Sequence, residues 1–292
     1  MTPPRPSPAG TRGHVARFAV TAVAARTFGS PTREHDEATR TFLEAAVPAV
    51  GIDLDGDRLR DARGHAYADM AAAVLADVLG GRRLDLLVLA HVVPDLALSD
   101  IATISAGEAV GGVGASFGVS DQGSLAPFSA LRLADVFAER QGLERAAVVV
   151  VDQHVLPYTT TRSPLQELAG DAAVVLLLER TQAPALRLAH RSGLRRADGT
   201  AWADAVADVH ADLTPDDPAP VHVVAGAGID PAWLDRLPLA GALHADPGFP
   251  CSGVWQRLAR DARPGPGART LVLEADPLVG SVHGALLGSL AG

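Results

Sequence analysis

The sequence contains no lysine and no asparagine, so all 25 of its basic residues are arginine. The missing asparagine removes every catalytic set that relies on that amide. Only one cysteine, Cys251, is present, which excludes an internal disulfide framework and a multi-cysteine zinc centre, and a reducing cytoplasm is the expected location. Aromatic residues make up 4% of the chain. No unbroken apolar run approaches the ~20 residues of a membrane span. A net charge of −9 excludes a nucleic-acid backbone as partner, since that contact needs a concentrated basic surface.

Apolar residues, mostly Ala, Val and Leu, account for 48% of the 292 positions, which suffices for a large core. Pro3, Pro4, Pro6 and Pro8 mark residues 1–12 as a disordered lead-in without the apolar run and cleavage site of an export signal. Several segments read as strands covered on both faces, because apolar residues run through them almost without interruption: Ala16 to Ala25, Leu84 to Val93, Ala146 to Val151 and Ala172 to Glu179. Tyr67 to Leu79 has apolar residues at helical spacing and stops at Gly80-Gly81, and Ser129 to Arg140 reads as a further helix. Residues 193–220 are polar and include Thr214-Pro-Asp-Asp-Pro218, so they read as a turn-rich joint between residues 13–192 and residues 221–292. Beyond the joint, Val221 to Ala225 and Thr270 to Ala275 read as strands and Ser252 to Ala262 as a helix.

The block from Asp69 to Glu179 resembles the N-terminal half of β-ketoacyl-acyl-carrier-protein synthase III enzymes. The likeness is carried by Met70-Ala-Ala-Ala-Val-Leu, the strand from Leu84, Ser116-Phe117-Gly118-Val119, Ala130-Leu131-Arg132-Leu133-Ala134 and Ala169-Gly170-Asp171-Ala172. Later, His244-Ala245-Asp246 and Leu271-Val272-Leu273-Glu274-Ala275 are similar to that family's His-Gly-Asn turn and a core strand. The resemblance implies an α/β thiolase-like fold of five αβαβα layers, made of two related halves with a shortened C-terminal half.

It also implies where a Cys-His-Asn set should stand. Counting back from Ala130-Leu131 puts Ser124 at the nucleophile position, whereas counting forward from Phe117 puts Gly123 there. The histidine position falls on Gly226 and the asparagine position on Asp246. The glycine loop that supplies backbone amides corresponds to Asp276-Pro277-Leu278-Val279-Gly280.

Two functional expectations follow from the resemblance. The first is a non-catalytic, chain-length-factor-like subunit that pairs with an active ketosynthase homologue, or with itself, in polyketide or fatty-acyl secondary metabolism. The second is a serine-dependent acyltransferase that takes acyl-CoA or an acyl-carrier protein, with His244 or His222 as base to Ser124 and Asp246 orienting it. Serine at a helix start also serves as an ordinary cap. His91 and His154 leave strands near the expected site, and Arg82-Arg83 and Arg195-Arg196 are candidate contacts for a phosphate or carrier protein. Neither a metal nor another cofactor is expected, because no His, Cys, Asp or Glu grouping has metal-ligand spacing.

Overall fold

A computed structural model describes residues 13–156, 158, 168–182, 185–195, 197–215, 220–261 and 269–288. The expected lead-in 1–12 and the Pro-Asp-Asp-Pro segment lie mostly outside these residues. In chain order the elements are β1 His14–Val15, β2 Phe18–Phe28, β3 Arg33–Glu34, α1 Glu37–Ala49, α2 Gly56–Asp61, β4 Arg63–Gly64, α3 Tyr67–Leu79 and β5 Leu84–Ala90. They continue with α4 Ala102–Ala109, β6 Val113–Val119, α5 Ala126–Gln141, β7 Arg145–Asp152, β8 Asp171–Arg180, β9 Leu186–Ser192, α6 Gly199–Leu213 and β10 Val221–Ala225. The chain ends with α7 Pro231–Leu234, β11 Leu239–His244, α8 Gly253–Asp261, β12 Thr270–Asp276 and β13 Ser281–Leu287.

The strands form two large sheets with the same internal order. The first runs β2-β8-β7-β5-β6, and the second runs β9-β13-β12-β10-β11 with β1 added outside β9. In both, the first two pairings are antiparallel and the last two parallel. The sequence has no detectable repeat, yet the chain builds one topology twice.

Alternation within the strands explains the layering. On β5 and β7, Leu86, Val88, Val148 and Val150 enter a central core with α5 and α8, while Leu87, Leu89, Val149 and Val151 enter an outer core with α3. Residues of a strand alternate between faces, so a continuous apolar run fills two cores at once. The second sheet shares the central core through Leu188, Val224, Val272 and Ala285, and packs α6 and α7 on its far side. The result is the expected αβαβα sandwich, with α5 and α8 as its middle layer.

Two readings of the sequence need correction. Residues 193–220 are not simply a joint: they hold α6, a 15-residue helix whose Asp198 side chain accepts from the Ala201 amide and which buries Trp202, Val206, Val209 and Leu213. The flanking turn signals masked a helical apolar stripe. The topological division falls instead between β8 and β9, so the second unit, Leu186 to Leu287, is shorter than the first but has all five strands. Gly111 at φ 93° and Gly112 at φ 97° turn the chain from α4 into edge strand β6.

Candidate functional site

The expected nucleophile segment follows β6. Asp121 adopts φ 61°, unusual for a residue with a side chain, and a 3₁₀ turn over Gly123–Leu125 leads into α5, where Pro127 sits in the first turn. Gly123 has φ 55°, and a Cβ built there would overlap the carboxylate of Asp276. In that register the position has neither a side chain nor room for one. In the other register Ser124 is buried, and its Oγ lies 3.4 Å from Asp276 Oδ2.

Asp276 is the principal residue that the sequence reading missed. Its Oδ2 accepts from the Ser124 amide at 3.0 Å, and its Oδ1 accepts from the amides of Leu278 and Val279 at 2.9 and 3.1 Å. A free amide beside the nucleophile is what an acyl-transfer site aims at a thioester oxyanion. Here a fixed carboxylate already holds it. The sequence carried one signal: an aspartate ending a strand before proline and a turn commonly accepts from the amides that follow.

The position expected to hold histidine is also filled. Gly226 leaves β10, and a Cβ there would overlap the carboxylate of Glu274, a buried residue of β12. Glu274 Oε1 accepts from the amides of Gly228 and Ala275 at 3.1 and 3.0 Å. Burial pushes this carboxyl up to about 8, against the partial relief of those two bonds, so it is protonated over much of the neutral range.

The remaining candidates are dispersed. Asp246 is exposed and pairs with Arg260 at 3.2 Å. His244 is half-buried at the end of β11, and His222 is exposed on β10. No bond from His244, His222 or Asp246 to Ser124 is present, so the structure does not assemble the Ser-His-Asp arrangement. His91 Nδ1 lies 2.8 Å from the Val93 carbonyl. His154 Nδ1 lies 2.7 Å from Asp171 Oδ1, and buried His65 lies 2.8 Å from the other oxygen, so one carboxylate serves two imidazoles. Burial alone would push Asp171 up, but the bonds from His154 and His65 outweigh it and hold the carboxyl down, while the same contact raises His154. Arg82 is committed to Glu179 at 3.0 Å and to the last carbonyls of α3, and Arg196 lies outside the described residues.

The arrangement has a counterpart across the molecule. Asp152 ends β7 as Asp276 ends the equivalent β12. Asp152 Oδ2 accepts from the Ser252 amide and hydroxyl, each at 2.7 Å, and both its oxygens accept from the Cys251 amide at 3.2 Å. Each aspartate therefore satisfies the start of the central helix belonging to the other half. Cys251 itself is buried, and burial pushes its thiol well above the ordinary range, so it is unsuited to act as a thiolate.

Two sheets that share one five-strand order around two buried helices define the thiolase fold. Solved structures agree. OleA from Xanthomonas campestris superposes with a TM-score of 0.62 at 14% identity, over 94% of this chain and 99% of that one. The 3-oxoacyl-(acyl carrier protein) synthase III of Xanthomonas oryzae pv. oryzae gives 0.61 at 16%, over 94% and 99%. ChlB3, an acyltransferase, gives 0.61 at 16%, over 94% and 98%. The sequence itself matches no protein-family model and no curated protein.

Proposed function

We propose that this chain is a non-catalytic partner subunit that pairs with an active synthase III-type homologue and helps to shape its acyl-binding region. One observation carries the reading: carboxylates occupy both places where chemistry would be expected, Asp276 at the Ser124 amide and Glu274 in the space beside Gly226. The scaffold is intact around a site that is plugged from within.

A candidate docking edge also supports it. β6 is an open edge of the first sheet, and Ile101 and Ile104 of the α4 region and Leu133 and Phe137 of α5 are exposed apolar residues. An unpaired strand edge with exposed apolar neighbours favours a protein partner. The acyl group would reach the pair on coenzyme A or on an acyl-carrier protein.

The alternative is a serine-dependent acyltransferase, favoured by the 3.4 Å approach of Ser124 Oγ to Asp276. An ordinary carboxylate is a weak base for a serine hydroxyl, and the imidazole that would replace it is missing. Incubation of the purified chain with acyl-CoA thioesters, followed by intact mass measurement, separates the two. No mass gain on the chain alone, with co-purification of a cysteine-bearing homologue, is the expected result. A stable acyl adduct that disappears in Ser124→Ala would overturn it.

A further inference from the structure

The second sheet turns an unusual surface toward α5. Along a strand, alternate residues share a face, and on β13 and β9 the residues facing the central core are Ser281, His283, Ala285 and Leu287, paired with Ser192, His190, Leu188 and Leu186. Half of this inner face is therefore polar. On the corresponding β2–β8 pair, the inner rungs Ala25–Val174, Val23–Leu176 and Val20–Leu178 are wholly apolar.

A cavity of about 300 Å³ lies over these rungs, between them and α5. Its helix wall presents Ser129 and Arg132. Arg132 forms no ion pair among the described residues, although 13 other arginines there do. His190 and His283 stack with centroids 5.1 Å apart, and Phe128 closes on His283 at 5.8 Å. His14, which also lines the cavity, has its Nε2 2.7 Å from Asp135 Oδ2. Arg132 is the arginine that faces the cavity, and it has no ion pair among the described residues.

We propose that this cavity binds a small organic carboxylate, with the Arg132 guanidinium gripping the anion and the Ser129, Ser192 and Ser281 hydroxyls and the His190–His283 pair lining its body. A planar guanidinium matches a carboxylate in two parallel hydrogen bonds. A single positive charge suits a singly charged ligand better than a phosphate dianion. Burial holds His283 down at about 3, assisted by His190 and Arg132, and it also lowers His190, so both rings are neutral near pH 7 and add no competing charge. Gln122 and Val279 border the cavity but Ser124 does not, so the cavity adjoins the plugged site without including Ser124, and it does not depend on the partner-subunit reading.

Calorimetric titration of the full chain with butyrate, benzoate and inorganic phosphate tests the assignment. Butyrate or benzoate is expected to bind in the millimolar range or tighter. Arg132→Gln should weaken that binding about tenfold or more, as loss of a bidentate charged contact does, while Arg140→Gln on the same helix and Ser124→Ala leave it unchanged. Arg132 is exposed on α5, so the variant is expected to fold, and its melting curve verifies this. Absence of carboxylate binding, equal binding by Arg132→Gln, or preference for phosphate would each overturn the proposal.

Discussion

The two halves of this molecule share a strand order but divide their interiors differently. In the first, every strand is apolar where it meets the central helices, from Val20 on β2 to Val119 on β6. In the second, the same face is apolar at Leu186, Leu188, Val224, Val272, Ala285 and Leu287, and on β9 and β13 it gives way to serine and histidine rungs at one end. The helix starts contrast less: Asp152 and Asp276 cap them in the same manner from opposite sides. Topology and capping have thus been kept in both copies, whereas the side chains of the inner face have diverged.

The largest expected effect comes from breaking the shared feature. Asp152→Ala leaves the buried amides of Cys251 and Ser252 unsatisfied and should destabilise the fold by about 3 kcal/mol or more, read from denaturant unfolding. Asp276→Ala should act in the same direction, and a much smaller loss there would show that the two caps are not equivalent.

Next in size is Glu274. Its folded value, about 8, lies above its ordinary value of 4.5, so its contribution is complete below that ordinary value and is lost as pH rises through 8. Glu274→Gln retains an acceptor for Gly228 and Ala275 but cannot ionise. It should melt close to the parent at pH 5 and be more stable by roughly 2–4 kcal/mol at pH 9. Parallel pH profiles for the two proteins would sink this account.

A smaller effect tests the contrast between the sheets directly. The double change His190→Leu with His283→Leu gives the second sheet the apolar rungs of the first. It should abolish carboxylate binding and change unfolding stability by no more than about 1 kcal/mol. Smallest of all, Ser124→Ala removes only a long 3.4 Å hydroxyl contact, so unfolding should shift by less than about 1 kcal/mol.

Much of the framework was legible in the sequence because double-sided burial writes a continuous apolar run. Tyr67–Leu79 and Val221–Ala225 have the expected bounds, and β5, β7, β8 and β12 differ only at their ends. Edge strands β6 and β11 were not read as strands, since Gly114, Gly118 and Gly241 interrupt them and their exposed faces need no apolar pattern. The candidate site was legible as a set of losses at Gly123, Ser124 and Gly226. What fills those positions was not, because Asp276 and Glu274 reach them from β12, far away in sequence, and local spacing carries no trace of such contacts.

The reciprocal caps also bear on how the chain assembles. The Asp152–Ser252 contact spans 100 residues and lies wholly inside the 152-residue span of Ser124–Asp276. Closing the inner loop first shortens the effective length of the outer one and lowers the entropy lost in closing it. The nested arrangement therefore favours an order in which α8 docks on the first sheet before α5 receives its carboxylate. It also makes either half, expressed alone, a chain whose central helix begins without its acceptor.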